Sequence, residues 1–192
     1  MLSDRNLRKT IAIVGDVMID HYLTGQVDRI SPEAPVPVLL HTQDRVLAGG
    51  AANVAVNVAA LGCDVRLVGA VGNDQNAEDL KVILGKSGVS GLHLVTDPAR
   101  PTISKTRIVS GRQQFLRIDR EPAGQPSRAV EGALIAAARE AIAGADIVVL
   151  SDYAKGVFSD AVLAQAIAAA KSQGKQVLVD PKRRTLDRKS VV

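Results

Sequence analysis

The sequence predicts an α/β fold with a mostly parallel sheet, and three observations support this prediction. Short runs rich in Val, Ile and Leu alternate with segments of helical spacing, and short loops join them. Aromatic residues make up only 2% of the chain, so aliphatic side chains must fill the core. Two further segments alternate apolar with polar residues, as exposed hairpins do. We therefore expect a parallel sheet with flanking helices and, beside it, a small β lid.

The elements of the core are predicted to follow one another as strand, helix and strand. The first apolar run, 10–14, ends in Gly15 and Asp16, which predicts a buried strand that stops at a turn. The predicted helices are closed by glycines, which commonly end a helix. The predicted strands are 10–14, 64–71, 92–95, 147–150 and 176–179, and the predicted helices are 49–61, 75–86, 127–142 and 159–172.

Two polar hairpins do not fit this parallel layer. Residues 20–44 alternate Thr, Val and Ile with polar residues, and they contain Pro32, Pro35 and Pro37. Prolines confine strands to the edge of a sheet, so this segment is expected to be an exposed flap. A second hairpin is predicted around a Ser-Gly-Arg turn. The lid is therefore expected at about 20–44 and 102–119.

Composition and charge exclude several classes of protein. The formal charge of +4 is mild for 192 residues, and four aromatic residues are too few for base stacking, so no nucleic-acid partner is expected. A single cysteine, Cys63, excludes an intrachain disulfide, and the three histidines show no metal-ligand spacing. No signal peptide or membrane-spanning stretch is visible. We expect a cytoplasmic protein with no metal site of its own and no membrane partner.

The usual sequence motifs for phosphate binding are absent or incomplete. No G-x-G-x-x-G follows the first strand, which argues against a dinucleotide-binding fold. Gly85, Lys86 and Ser87 resemble the end of a P-loop, but Leu80 stands where the required glycine would be. The end of a helix explains this tripeptide better. The basic triplet at 182–184 is more typical of a solvated loop than of a phosphate track.

Two carboxylates lie just after the first predicted strand. Asp16 follows Gly15 directly, and Asp20 comes four residues later. Ligands of open α/β sheets bind at the carboxyl ends of the strands, where two carboxylates can accept hydrogen bonds from sugar hydroxyls. Asp16 can equally cap a turn or a helix. The spacing alone leaves both interpretations open.

A run of small residues opens the next predicted helix. Gly49 and Gly50 precede two alanines, and Asn53 follows them. Small residues let a ligand approach the backbone N–H groups at the start of a helix, and the asparagine amide both donates and accepts hydrogen bonds. The alternative is a tight junction between strand and helix, in which the glycines only relieve packing.

Several cations and amides lie on the second hairpin. Alternation places Lys105 and Arg107 on one face, and Gln114 and Arg117 follow on the return strand. This pattern suits a phosphate group on the substrate, since an anion needs more than one donor. Charges that protect an exposed edge strand are the alternative, and both remain open.

Further polar residues follow two later core strands. Asp152 and Lys155 belong to the segment Ser-Asp-Tyr-Ala-Lys-Gly, which comes after the apolar run 147–150. Lys182 closes an Asp-Pro-Lys segment after the last predicted strand. Both segments are expected at the carboxyl edge of the sheet, where the ligand of such a fold binds.

Together these segments resemble the ribokinase-like (PfkB-type) carbohydrate kinases over nearly the whole chain. The resemblance includes the Gly-Asp start, the lid strands, the glycine-asparagine helix and the Asp-Pro-Lys segment. Three stretches are most similar to the D-glycero-D-manno-heptose 7-phosphate kinases within that family. They are 29–38, with its Ser-Pro-Glu-Ala-Pro run, then 113–119, and finally 151–156.

The resemblance implies a fold, a reaction and a set of binding residues. The reaction is transfer of the γ-phosphate of ATP, with Mg²⁺, to the anomeric hydroxyl of the heptose 7-phosphate, and the parent enzyme would pair as a homodimer through its lid. Lys182 is expected near the phosphates. The expected substrate-binding residues are Asp16, Asp20, Gly49, Gly50, Asn53, Lys105, Gln114, Arg117, Asp152 and Lys155.

The chain departs from the family pattern because the segments for catalysis and for the adenine and triphosphate of ATP are absent, so neither ATP nor Mg²⁺ is expected to bind well to it. Family members carry a Gly-x-Gly-Asp segment with the catalytic aspartate, and this sequence contains none; its nearest match, 144–146, is typical of a helix end. We therefore expect 1–186 to be the N-terminal portion of a kinase domain, 187–192 to be a non-native tail, and the chain to be inactive alone. The alternatives are a non-catalytic module that binds sugar phosphate or dimerises, and a kinase for another phosphorylated sugar.

Overall fold

The structure is a computed structural model that describes residues 8–182. It has nine strands and four helices within that range. The strands are β1 (Thr10–Gly15), β2 (Val17–Ile30), β3 (Pro37–Gly50), β4 (Asp64–Val71), β5 (Gly91–Thr96), β6 (Ser104–Ser110), β7 (Gln113–Arg120), β8 (Ile147–Asp152) and β9 (Gln176–Pro181). The helices are α1 (Ala51–Ala60), α2 (Gln75–Lys86), α3 (Arg128–Ala143) and α4 (Asp160–Lys171).

Five of the strands form a parallel sheet in the order β5-β4-β1-β8-β9. Successive side chains of β1 point to opposite faces, as the strand geometry requires. Ala12 and Val14 pack with apolar side chains of α3 and α4, whereas Ile11 and Ile13 pack with those of α1 and α2. Both faces of the sheet are therefore covered by helices, which confirms the predicted fold class.

The other four strands form a separate sheet in the order β3-β2-β6-β7. Strands β2 and β6 are parallel neighbours, and each pairs antiparallel with its own hairpin partner. The two predicted polar hairpins thus lie in one sheet, which we call the lid. A single residue, Asp16, separates β1 from β2, and the first residue of β2, Val17, pairs with Gly50 at the end of β3.

The boundary between β3 and α1 differs from the prediction. The sequence predicts Gly49 and Gly50 in the helix, but they lie in β3 and pair with Met18 and Val17. The helix begins at Ala51 instead. The sequence predicts that the flap ends near residue 44. In the structure β2 starts three residues earlier than predicted, and its pairing with β3 therefore continues as far as Gly49 and Gly50.

The start of α1 lacks the side-chain cap that the other helices have. Asp74, Ser127 and Ser159 cap α2, α3 and α4, each accepting a hydrogen bond from a backbone N–H of the first turn. Before α1 stands Gly50, with φ of 55°, where the backbone oxygen of Asp16 would lie 2.3 Å from an added Cβ. No other residue fits this position without moving the backbone.

The two edges of the parallel sheet are β5 and β9. On β9 the side chain of Leu178 is 60% exposed.

The basic residues 183–184 and the tail predicted at 187–192 lie outside the described residues. Within residues 8–182, no helix has both the length and the apolar character needed to span a membrane.

Candidate functional site

The predicted polar segments converge at the carboxyl edge of the parallel sheet, beside the base of the lid. Asp16 follows β1, the loop 153–157 follows β8, and Lys182 follows β9. The backbone N–H of Lys182 donates to the oxygen of Asp152, which joins the ends of the last two strands. The parallel register brings these ends together, because β1, β8 and β9 are consecutive neighbours in the sheet.

The Asp16 carboxylate is completely buried and binds the loop after β8. Its Oδ2 accepts hydrogen bonds from the backbone N–H groups of Tyr153 and Lys155, at 2.9 and 3.0 Å, and its Oδ1 accepts one from Val157 at 2.9 Å. Of the two interpretations that the sequence left open for Asp16, this geometry is that of a turn cap. A sugar hydroxyl can reach the carboxylate only if the loop releases it.

The environment of Asp16 has opposing effects on its charge. Burial raises the pKa of the Asp16 carboxyl, the three N–H groups act in the opposite direction, and the nearby Asp152 carboxylate raises the pKa further. Asp152 is itself buried, and its Oδ1 accepts a hydrogen bond from the N–H of Ala154 at 2.8 Å. The carboxylates of Asp16 and Asp152 thus both bind backbone N–H groups of the loop 153–157.

The Asp20 carboxylate lies at the base of the lid and is also paired. Its Oδ1 is 2.6 Å from Nη1 of Arg107, whose guanidinium also lies over the ring of Tyr22, 5.2 Å from its centroid. Its Oδ2 would lie 2.5 Å from a Cβ added to Gly49. Gly49 therefore leaves room for the Asp20 side chain and is needed at this position.

Three cations and two carboxylates form an ion network on the lid and the loop after β8. The Lys105 ammonium binds Asp119 and Glu121, both at 2.9 Å, and Arg117 binds Asp119 through Nε and Nη2, at 2.7 and 3.0 Å. The Lys155 ammonium binds the second oxygen of Glu121 at 2.6 Å. We call these five residues the ion network; its Lys105 side chain is only 14% exposed.

These ion pairs shift the pKa values of Asp119, Glu121 and Lys105. Hydrogen bonds from Lys105 and Arg117 lower the pKa of Asp119 to about 2. Bonds from Lys155 and Lys105 lower the pKa of Glu121. Burial disfavours the ammonium of Lys105, but its bonds to the two carboxylates outweigh burial and raise its pKa. Asp119, Glu121 and Lys105 therefore carry their full charges near neutral pH.

Comparison with known proteins identifies the family. A family model described as pfkB family carbohydrate kinase matches residues 8–190. The chain belongs to the pfkB carbohydrate kinase family. Its relatives include the bifunctional protein HldE of Azorhizobium caulinodans, 58% identical over 97% of this chain, and that of Gluconobacter oxydans, 51% identical over 92%. The chain spans 39% and 37% of the length of these two relatives.

Solved structures share the fold of this pfkB family chain. Arabidopsis thaliana ribokinase complexed with ribose and ATP superposes with a TM-score of 0.63 at 21% identity, over 91% of this chain and 54% of the ribokinase. The tetrameric inhibited form of phosphofructokinase-2 from Escherichia coli superposes with a TM-score of 0.67 at 22% identity, over 91% and 55%. At these identities the likeness establishes the ribokinase-like fold alone.

Three of the residues to which the pfkB resemblance assigns a binding role are exposed and make no contact with the ion network that the structure describes. Asn53 is exposed in the first turn of α1, and Gln114 is exposed next to the turn between β6 and β7, where it pairs with Val109. The side chain of Lys182 is exposed beyond β9. Their contacts with a substrate remain predictions.

Sequence reasoning missed two residues that hold the site together. Glu121 bridges the ammonium groups of Lys105 and Lys155, and Arg100 donates from Nη2 to the backbone oxygens of Lys155 and Gly124, at 3.4 and 3.1 Å. Alternation along Arg117, Asp119 and Glu121 was a signal for the first. No local pattern pointed to Arg100, because its partners are distant in sequence.

The pfkB carbohydrate kinase fold implies the use of ATP in the family. The sequence has no Gly-x-Gly-Asp segment, and residues 8–182 contain no cluster of three or more His, Cys, Asp or Glu side chains that could hold a metal ion. The site consists of cations, carboxylates and the buried Asp16 side chain that binds the loop 153–157. Such a set can bind an anionic, hydroxyl-bearing ligand.

Proposed function

We propose that this chain forms the sugar-phosphate-binding part of a kinase. The complete enzyme would transfer the γ-phosphate of ATP to the anomeric hydroxyl of D-glycero-D-manno-heptose 7-phosphate, a step toward the ADP-heptose of the lipopolysaccharide core. Because this reaction consumes ATP, we expect it in the cytoplasm. The support is the resemblance of segments 29–38, 113–119 and 151–156 to heptose 7-phosphate kinases, together with the similarity to HldE proteins.

The observation that carries the proposal is the bridging position of Glu121. Its carboxylate lies between the ammonium groups of Lys105 and Lys155, at 2.9 and 2.6 Å, so that two cations already converge on one anion. A phosphate group needs this kind of convergence, since charge-assisted hydrogen bonds from several donors bind it more strongly than one. We infer that the 7-phosphate of the substrate takes the place of the Glu121 carboxylate, with Arg117 as a third donor.

Four further predicted residues lie at the base of the lid and at the start of α1. Asp20, with its bond to Arg107, lies at the base of the lid, and Gly49 leaves the room that the Asp20 carboxylate occupies. Gly50 and Asn53 begin α1 beside it. We propose that these groups bind the hydroxyls, since a carboxylate accepts and an amide both donates and accepts hydrogen bonds.

The test is a titration of the 192-residue chain by calorimetry or NMR. D-glycero-D-manno-heptose 7-phosphate is expected to bind saturably, and the heptose without its phosphate is expected to bind at least about tenfold more weakly, because each charged hydrogen bond contributes about 1.5–3 kcal/mol. Equal affinity for the two sugars would contradict the proposed phosphate contacts. Saturable binding of another sugar phosphate in preference would favour a kinase for that sugar.

A matched pair of variants locates the phosphate contact. Lys155→Met removes a cation of the ion network, whereas Lys86→Met removes one from the last turn of α2, at the opposite edge of the sheet. We expect loss of affinity for the phosphorylated sugar only in the first variant. Equal losses in both would mean that overall charge, and not this site, binds the ligand.

The family reaction and a purely binding role are distinguished by turnover. We expect no ATP consumption by this chain with the sugar phosphate present, because it lacks the Gly-x-Gly-Asp segment. General base catalysis and stabilisation of developing charge each contribute about 10²–10⁴-fold to such a reaction. Turnover at a rate typical of kinases would contradict this expectation. Addition of a polypeptide that carries the missing segment should restore turnover if the binding part belongs to a kinase.

We also propose that the lid pairs two copies of this chain. The edge strand β7 exposes Leu116 and Ile118, which are 53% and 52% accessible, and exposed apolar side chains on an edge strand favour association. Sedimentation velocity should give a dimer for the unmodified chain and a monomer for Leu116→Ser with Ile118→Ser. The control is Leu61→Ser, which removes another exposed apolar side chain after α1 and should leave the dimer intact.

A further inference from the structure

Three side chains from separate parts of the chain hold the loop 153–157. Asp16, after β1, accepts three backbone N–H groups from it. Arg100, before β6, donates to the backbone oxygen of Lys155. Glu121, after β7, binds the Lys155 ammonium. Both backbone polar groups and the side chain of Lys155 are therefore fixed by different partners.

The conformation of this loop depends on those partners. Its residues 153, 155 and 157 all direct their N–H groups to one carboxylate, while Ala154 and Gly156 between them have φ of 56° and 101°. Positive φ at an alanine is unfavourable and persists where the surroundings enforce it. Alternate N–H groups that converge in this way form a concave anion site, and here the anion is Asp16.

We propose that Asp16 is a positioning residue for the phosphate site. It acts through the loop, by holding the backbone of Lys155 so that the ammonium reaches the place occupied by Glu121. This inference rests on the proposed function, since it needs a ligand that Lys155 binds. It differs from direct contact with the sugar, because the carboxylate is completely buried and both of its oxygens bind the loop.

An asparagine at position 16 cannot reproduce this arrangement. A carboxylate has two acceptor oxygens, whereas an amide has one oxygen and an NH₂ that only donates. If the amide oxygen faces Tyr153 and Lys155, the NH₂ faces the N–H of Val157 across a distance that is 2.9 Å in the native structure. Either orientation sets at least one donor against another, so the loop must shift.

The test is a double-mutant cycle of Asp16→Asn and Lys155→Met in the 192-residue chain, with D-glycero-D-manno-heptose 7-phosphate as probe. Each single variant is expected to lose about tenfold in affinity, the equivalent of one charged hydrogen bond. In the Lys155→Met background, Asp16→Asn should lower the affinity by less than about twofold, because the effects of substitutions at two residues that act as a unit are not additive. Losses that multiply to about a hundredfold would mean that Asp16 binds the sugar itself and would overturn the inference.

A second measurement needs no variant. Hydrogen exchange of the amides of Tyr153, Lys155 and Val157 is followed in the unmodified chain with and without the sugar phosphate. If Asp16 acts through the loop, the three amides keep their protection when the ligand binds. If Asp16 turns to the sugar, it must release them, and faster exchange in the complex would overturn the inference.

The two proposals fail in different ways. If the unmodified chain does not bind the sugar phosphate saturably, the proposed function is wrong, and the positioning role of Asp16 is wrong as well. If binding is saturable but the cycle is additive or the amides lose protection, only the inference about Asp16 is wrong. A rise in amide exchange in Asp16→Asn, with none in Lys155→Met, is the signature that supports it.

Discussion

Two carboxylates hold Lys155, and they do so in different ways. Asp16 is buried and binds the backbone of the loop through three N–H groups. Glu121 is partly exposed and binds the side-chain ammonium groups of Lys155 and Lys105. The partners of Asp16 are fixed in the fold, whereas those of Glu121 are flexible side chains that can bind another anion.

This difference indicates which carboxylate belongs to the scaffold and which can be exchanged. A buried group that loses its partner leaves unsatisfied N–H groups behind, which is costly. An exposed ion pair contributes little to stability, and water or a dissolved anion can replace one partner. We therefore expect changes at Asp16 to affect the free energy of unfolding most, and changes at Glu121 to affect mainly the affinity for anions.

The largest expected effect is the loss of stability in Asp16→Ala. The variant leaves three backbone N–H groups of the loop without their acceptor, and each such group costs about 1–3 kcal/mol if it stays buried. Urea unfolding should give a free energy of unfolding lower by about 3 kcal/mol or more. Glu33→Ala, in the exposed connection between β2 and β3, is the control and should change it by less than about 0.5 kcal/mol. Similar values for the two variants would remove the distinction between scaffold and exchangeable carboxylates.

A smaller loss is expected for Gly50→Ala, which tests the backbone around Asp16. The new Cβ would lie 2.3 Å from the backbone oxygen of Asp16, in addition to the strain of a positive φ. Gly62→Ala is the matched control, because Gly62 has φ of 89° but nothing within 4 Å of an added Cβ. Strain alone costs about 1–2 kcal/mol, so Gly50→Ala should exceed Gly62→Ala by about 1 kcal/mol or more in urea unfolding. Equal losses in the free energy of unfolding would show that the backbone near Asp16 shifts to accommodate the new Cβ without further loss of stability.

Much of the core could be predicted from the sequence, because local patterns determine it. The strand and helix periods placed the nine strands and four helices described here, and helix ends coincided with glycines such as Gly144. The start of α1 was predicted too early, since strand pairing with Val17 extends β3 through Gly50. Local pattern carries no information on how far a ladder continues.

The site was predicted less completely than the core. Asp16, Lys105 and Lys155 are predicted site residues because each follows a strand or lies on an alternating hairpin, and their contacts with a substrate stay predictions. That Asp16 binds the loop 153–157 could not be predicted, since the partners are more than 130 positions apart and are backbone groups. Glu121 was missed for a related reason, because its role depends on which two lysines the fold brings to it.

An effect on affinity with little change in stability is expected for Glu121→Gln. Loss of the negative charge frees the Lys155 ammonium and leaves Lys105 bound to Asp119 alone, so the affinity for the sugar phosphate should rise several-fold. Ion pairs near the protein surface contribute only about 0.2–1 kcal/mol each to stability. Calorimetric titrations at low and high salt would measure this, and the gain should shrink as salt screens the charges. A fall in affinity would indicate that Glu121 itself helps to bind the ligand.

The smallest effect is the response of the ion network to acid. The pKa of Asp119 is lowered to about 2, so its ion pairs stabilise the folded state above the ordinary carboxyl pKa of about 4 and lose this contribution as the pH falls through 2. Unfolding free energies measured between pH 4 and 2 should therefore decline. The decline should be shallower in Asp119→Asn, which has no carboxyl to titrate at this position. Identical pH profiles for the two proteins would contradict the role assigned to Asp119.

The attachment of the lid to the core has a mechanical consequence. Asp16 alone separates β1 from β2, β3 passes directly into α1 after Gly50, and the N–H of Ile19 donates to the oxygen of Ile103 just before β6. These direct connections limit bending where β2 and β3 meet the core, so we expect the lid to rotate about its base as one unit. A strand of 14 residues is about 45 Å long, so a rotation of about 5° at the buried base displaces the tip by about 4 Å. A slight rearrangement around Asp20 and Arg107 would therefore produce a larger movement at the far end of the hairpin.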